Sequence, residues 1–342
     1  MKKISVFLLF LFLTGSIVGC SKVNNSAPDA SQSNSIKVVV KEEIVTIGKD
    51  TAYPVSGLLS IPQGAKTPYS AVVLIAGSGP EDMDETIYNN KPLKDIADYL
   101  VSKGIAVLRY DKCTYTYQTK IVGNFSDLTV EDEYIKDAVS ASNLLKSDSR
   151  IDKNKVFIIG HSEGGMLAPR IDAECVDFTW IVIMEGSPRC FSDILYDQNM
   201  AIVNTLTGAD KTKGQSQVDA LVSEFSSLKT MSDADAKKIT MVGASGYYYK
   251  EMDEHPASDY LTKDTKPILI LQGQKDFQIS PTNDFGAFQT LLKGKLNVTL
   301  KSYPNLNHLF MPSITGTVDE YKTASHVDEI VLNDVTNWIL SK

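Results

Sequence analysis

Lys155 to Met166 reads KVFIIGHSEGGM, and the fold of the whole chain follows from how this stretch must bend. Val156 to Ile159 is a short β-branched and aromatic run, the composition of a buried strand. It drives into Gly160-His161-Ser162-Glu163-Gly164, after which the residues suit a helix. A G-x-S-x-G string between a buried strand and a helix is a sharp turn that holds its serine in a strained conformation, with the hydroxyl projecting from a sheet edge. Gly160 and Gly164 stand where neighbouring backbone leaves no room for a Cβ. Such a serine needs a base, an acid and donors for a developing oxyanion, all supplied from elsewhere.

Outward from this turn the chain alternates strand and helix patterns. Two β-branched strands open it, Val38 to Ile47 and Val55 to Ile61, close enough to form an antiparallel pair. Buried runs follow at Ala71 to Ala76, Ile105 to Leu108, Lys155 to Gly160 and Trp180 to Met184. Helical stripes lie between them, at Leu93 to Val101, Val130 to Leu145 and Glu163 to Cys175. The rhythm breaks after Phe191. Gly208 to Gly214 and Gly243 to Gly246 read as loops around one amphipathic helix through Val218, Leu221, Val222, Phe225 and Leu228. It resumes with strands at Pro267 to Leu271 and Leu296 to Tyr303, and with helices near Phe285 to Leu292 and Val327 to Leu340. This predicts an α/β fold, a doubly wound and mostly parallel sheet, with residues 191–266 inserted as a helical cap between the strands near 180–184 and 267–271. Sites in such sheets lie at the C-terminal ends of the strands.

That edge supplies the partners for Ser162. Asp276, in ILILQGQKDFQIS, sits just past the first strand after the cap and is the acid expected there. His308, in SYPNLNHLF, sits just past the last strand and is the base expected there. Only four histidines occur. His161 adjoins the serine and is read as packing, His255 lies in the cap, and His326 at the start of the last helix is the rival base. The order Ser162, Asp276, His308 is the one found in α/β hydrolases rather than in chymotrypsin or subtilisin. Arg109 and Asp111 are expected to form a buried ion pair.

From Val38 to Leu340 the chain resembles the α/β-hydrolase superfamily, and within it bacterial secreted serine esterases related to dienelactone-hydrolase and prolyl-oligopeptidase-like sequences. The shared motifs are AGSGPEDMDE (Ala76 to Glu85), NKPLKD (Asn90 to Asp95), GIAVLRYDK (Gly104 to Lys112), GHSEGGMLAPR (Gly160 to Arg170), LQGQKDFQ (Leu271 to Gln278) and YPNLNHLF (Tyr303 to Phe310). The resemblance implies an oxyanion hole built from the backbone N–H groups of Ser78 and Glu163. It also implies acyl transfer through Ser162, with small to medium acyl esters as substrates. A serine peptidase of the prolyl-oligopeptidase type, or a non-catalytic binder on the same scaffold, are the alternatives. Two departures stand out. Ala76-Gly77 replaces the usual His-Gly, which predicts altered loop packing. Cys113 replaces the arginine that commonly follows Tyr-Asp-Lys, which predicts an altered pocket rim. Tyr115, Tyr117, Tyr247, Tyr248 and Tyr249 are candidates for the pocket wall, with cap packing an equal reading.

The extreme N-terminus reads as a targeting segment. Lys2 and Lys3 precede an apolar stretch from Ile4 to Leu13, too short to span a bilayer comfortably. Ile17-Val18-Gly19-Cys20 then resembles a bacterial lipobox, which implies a signal peptide over 1–19, a lipid on Cys20 and an outward-facing protein held at the cell membrane. Residues 20–35 are polar and Ser/Asn-rich, a flexible tether to the hydrolase domain at 36–342. Cleavage would remove Lys2 and Lys3 and take the formal charge from −8 to −10. That balance, with no basic cluster beyond the N-terminus, argues against nucleic acid as a partner. No cofactor or metal is expected, because neither H-E-x-x-H nor a paired-cysteine pattern occurs. Three cysteines remain after Cys20. They are expected as free buried thiols, with a Cys175–Cys190 bridge the alternative.

Overall fold

The computed structural model describes residues 39–64, 67–122, 128–174 and 178–342. The expected signal peptide, Cys20, the tether and Cys175 lie outside these residues. Among the described residues ten strands are present in chain order: β1 (Val39–Ile47), β2 (Val55–Gln63), β3 (Tyr69–Ile75), β4 (Ala106–Tyr110), β5 (Ile151–His161), β6 (Trp180–Met184), β7 (Thr240–Met241), β8 (Ala244–Ser245), β9 (Ile268–Gly273) and β10 (Val298–Tyr303).

Eight of them form one sheet in the order β1-β2-β4-β3-β5-β6-β9-β10. The opening pair is antiparallel, β2 also runs against β4, and every later pairing is parallel. Strand order reverses around β3 and β5, and in doubly wound sheets the crevice at such a switch point is where ligands bind.

Alternation along the central strands assigns their side chains to two cores. Val73, Ile75, Ile158, Ile183 and Ile270 face one layer together with Ala138, Ala141 and Leu145 of the helix Lys136–Ser147 and Leu167 and Ile171 of the helix Glu163–Glu174. Val72, Leu74, Phe157, Ile159, Val182 and Leu269 face the other, with Leu93, Ile96 and Leu100 of Pro92–Ser102 and Val331, Val335 and Ile339 of Glu329–Leu340. Burial on both faces is why these strands read as continuous apolar runs.

The insertion between β6 and β9 is helical, apart from the two-residue ribbon β7-β8. Its helices are Phe191–Thr205, Gly208–Leu228, Asp233–Ala236, Gly246–Glu254 and Ala257–Leu261. The segment from Gly208 to Gly214, expected as a loop, is instead the first two turns of a helix that continues to Leu228. Packing overrides propensity there: a Cβ on Gly214 would come within 2.9 Å of Val203 on the preceding helix. The apolar residues Leu221, Phe225, Tyr248, Tyr249 and Met252 join the same core as the helix that follows Ser162. Among the described residues no helix is long and apolar enough to cross a membrane.

Candidate active site

Ser162 stands at the junction of β5 and the helix Glu163–Glu174, with φ at +54°. A non-glycine residue in this left-handed region stores roughly 1–3 kcal/mol of strain, which the surroundings must hold in place. They do so by close approach. A Cβ on Gly160 would lie 2.1 Å from the Gly164 carbonyl oxygen, and one on Gly164 would lie 2.5 Å from that of Ala76. The Ser162 N–H donates to the Met184 carbonyl at the end of β6 at 2.9 Å.

Asp276 and His308 come together at the same edge. Asp276 follows β9, and its Oδ1 accepts from the N–H groups of Gln278 (2.6 Å) and Ile279 (3.0 Å). Its Oδ2 lies 2.7 Å from His308 Nδ1, which orients the imidazole and leaves Nε2 for another partner. Both residues are buried. The His308 carbonyl lies 2.8 Å from Nε2 of His161, the neighbour of Ser162, and the two rings are 4.8 Å apart. His326 lies elsewhere, 86% exposed, with its Nδ1 on Asp95.

His161 does more than pack. Its Nδ1 meets Glu85 at 2.9 Å, and Glu85 Oε1 also accepts from the Gly77 N–H at 2.7 Å. Burial opposes charge on both partners. Their mutual attraction wins, holding Glu85 below the usual carboxylate range and His161 above the usual imidazole range. The Ala76-Gly77 departure now has a physical reading: a Cβ on Gly77 would sit 2.9 Å from Glu85 Oε1 and 3.0 Å from Ser162 Cβ. The loop therefore touches the serine; the Gly77 N–H is committed to Glu85, and Ser78 beside it is exposed.

A second buried network supports the other side of the loop. The Gly77 carbonyl accepts from Lys112 Nζ (2.9 Å) and Tyr134 Oη (2.8 Å). Lys112 pairs with Glu133 at 3.0 Å, and Tyr248 Oη lies 2.8 Å from both Glu133 and Glu163. One hydroxyl proton serves only one of these carboxyls, so the second contact is a hydrogen bond when that carboxyl carries a proton. Glu163 suits this role, because burial pushes it up to about 7, with Glu133 adding to the rise and Lys112 opposing it. Glu81, on the Gly77–Glu85 loop, is pushed up to about 8, chiefly by burial and then by Glu85.

The tyrosine candidates separate. Tyr248 is buried in this network, and Tyr249 packs between Phe191 and Phe225 with its hydroxyl on the Val242 carbonyl. Tyr247 carries the Lys237 ammonium 4.5 Å above its ring. Tyr117 donates to the Pro54 carbonyl and meets Tyr53 edge-on, while Tyr115 is exposed. For four of the five, the cap-packing or local-packing reading describes the contacts. One other expectation is corrected. Arg109 pairs with Asp84 at 2.9 Å, because Asp111 turns to accept the Met83 N–H. Cys113 is wholly buried with its Sγ toward the Asp132 carbonyl.

Glu85, Lys112, Glu133, Tyr134 and Glu185 were not singled out from the sequence. Glu85 and Lys112 close two of the quoted motifs. Glu185 carried a usable signal, an ionisable residue directly after a buried strand at the catalytic edge. Nothing in the sequence pointed to Glu133 or Tyr134.

The sequence profile described as serine aminopeptidase, S33, matches residues 90–312. That span holds Ser162, Asp276 and His308, and Ser78 precedes it. Esterase EstD of Thermotoga maritima is 34% identical over 285 residues, 83% of this chain. The chain spans 65% of the length of that relative. Among solved structures, Est1E from Butyrivibrio proteoclasticus aligns with a TM-score of 0.53 at 14% identity, covering 87% of this chain and 98% of its own. The Pyrococcus furiosus esterase PF2001 aligns at 0.51 and 16%, covering 94% and 100%. These two likenesses establish the α/β-hydrolase architecture.

Proposed function

Since the chain belongs to the serine aminopeptidase S33 family of hydrolases, we propose that it is a serine carboxylesterase acting on small to medium acyl esters. The observation that carries this reading is the 2.7 Å contact of Asp276 with His308 Nδ1, on a loop bonded to the residue preceding the strained Ser162. The 34% identity to an esterase supports the choice of ester over amide.

The reaction runs in two halves. Ser162 Oγ attacks the ester carbonyl carbon as His308 Nε2 takes its proton, and Asp276 stabilises the imidazolium. The oxyanion accepts from the N–H groups of Ser78 and Glu163, donors fixed before charge develops; one such donor typically contributes about 3–4 kcal/mol. The tetrahedral intermediate collapses, and the alcohol leaves with the proton from His308. Water, deprotonated by His308, then attacks the acyl-enzyme, and Ser162 regains its proton. The helical insertion caps this edge, and a lipid on Cys20 holds the enzyme at the outer face of the cell membrane.

The test is turnover of p-nitrophenyl acetate, p-nitrophenyl butyrate and an aminoacyl-anilide by the purified chain. Ester cleavage that vanishes in Ser162→Ala and His308→Ala, and persists in His326→Ala, is the expected result. Anilide cleavage without ester cleavage makes the protein a peptidase. No turnover and no labelling by a fluorophosphonate sinks both enzymatic readings.

A further inference from the structure

Glu185, directly after β6, has no part in the reaction as written. Its backbone is left-handed, with φ at +49°, and its side chain is wholly buried. Strain at a buried ionisable residue beside a reaction site is a reason to look for a role there. Oε1 accepts from the Gly273 N–H at 2.5 Å, and Oε2 has no hydrogen-bond partner. One oxygen of Glu185, one of Asp276 and a ring nitrogen of His308 all lie within 4.8 Å of one another.

Two carboxylates this close in a dry site do not both ionise. Asp276 is the better anion, because both its oxygens face donors: two backbone N–H groups on Oδ1 and the imidazole on Oδ2. Glu185 has one backbone donor, the Gly273 N–H, with the Gln272 amide a weaker second. Burial first, and the charge on Asp276 second, raise Glu185 far above the carboxylate range. The proton then belongs on the unpartnered Oε2. The other titratable groups facing this pair are Tyr303 at the end of β10, Tyr321 in the short helix Val318–Lys322, and His161 from β5. Glu185, Asp276 and His308 could by spacing hold a metal ion, but Asp276 is already engaged by two backbone N–H groups and by His308 Nδ1.

We propose that Glu185 is a positioning residue, a neutral acid whose Oε2–H is directed to Asp276 and fixes the carboxylate that orients His308. This rests on the reading of Ser162, Asp276 and His308 given above. Gly273 belongs to the same device: a Cβ there would lie 2.8 Å from Glu185 Oε1 and 2.4 Å from the Leu306 carbonyl, on the loop that carries His308.

The experiment measures kcat and KM for p-nitrophenyl acetate in the wild type, Glu185→Gln, Glu185→Met and Ser162→Ala, with folding followed by circular dichroism. Glutamine keeps an N–H donor and cannot ionise, whereas methionine fills the volume without a donor. Glu185→Gln is expected to keep kcat within threefold. Glu185→Met is expected to lose tenfold or more in kcat with KM within twofold. A folded Glu185→Met with wild-type kcat overturns the proposal. So does a tenfold fall in kcat for Glu185→Gln, which decides the matter even if the methionine variant does not fold. If the wild type shows no Ser162-dependent turnover, the site itself has been misread and Glu185 has no relay to position. That result differs from a fault confined to Glu185.

Discussion

Glu163→Gln isolates the charge next to Ser162. Glu163 is buried, and its carboxyl rises from an ordinary 4.5 to about 7. Between those two pH values the folded chain keeps a proton that the unfolded chain has released. Stability therefore falls as pH rises, by about 1.4 kcal/mol per unit, and the loss levels off above pH 7. The accumulated difference is about 3 kcal/mol. Glutamine reproduces the protonated form at every pH, its amide N–H donating to Tyr248 Oη as the acid's proton does. The variant should match the wild type near pH 4.5 and exceed its stability by about 3 kcal/mol at pH 8. Groups that titrate in both chains, Glu81 among them, cancel in the difference. Urea unfolding at pH 4.5, 6 and 8 measures it. With a slope of about 3 kcal/mol per molar for a chain of this size, the midpoint at pH 8 should move up by roughly 1 M. A gap that stays constant across the range, or a variant no more stable than the wild type at pH 8, would refute the claim that Glu163 carries a proton in the fold.

Two further substitutions probe the scaffold. Gly164→Ala places a methyl 2.5 Å from the Ala76 carbonyl and 2.6 Å from that of Ile75, and backbone at that distance cannot yield as a side chain would. Loss of at least 3 kcal/mol in urea unfolding, with turnover abolished, is expected; a stable and active variant would show that the elbow is not closed by this contact. Tyr248→Phe removes the hydroxyl shared by Glu133 and Glu163, leaving a buried acceptor unpaired at a cost of roughly 1–3 kcal/mol. Thermal melting measures this, and an unchanged midpoint would mean that water replaces the hydroxyl.

The fold was legible because burial on both faces writes long apolar runs into β3, β5 and β9, and because the glycine-closed turn at Ser162 admits so few residue types. The meeting of His308 with Asp276 was legible for a related reason, since strand ends at one sheet edge are easy to count along a chain. What escaped the sequence was the pairing of charges across loops. Arg109 chose Asp84, 25 residues away, over Asp111, its near neighbour, and local spacing carries no trace of that choice. Tyr134 and Glu133 sit in a segment whose apolar stripe looks ordinary, yet Tyr134 reaches the Gly77 carbonyl and Glu133 the Lys112 ammonium beside it. The helix beginning at Gly208 escaped because Gly214 stands where Val203 of the preceding helix leaves no room for a Cβ, a close approach that only the folded chain reveals.

The bond from Tyr248 to Glu163 has a consequence for how such enzymes diversify. Inserted caps are often regarded as exchangeable modules that retune substrate choice while the chemistry beneath stays constant. Here the insertion supplies the hydroxyl between two acids, one of which adjoins Ser162. Replacing it with a foreign cap would leave Glu133 and Glu163 facing each other, and evolution or design would have to recode the elbow in the same step. In this chain the cap and the turn that carries Ser162 are inherited together.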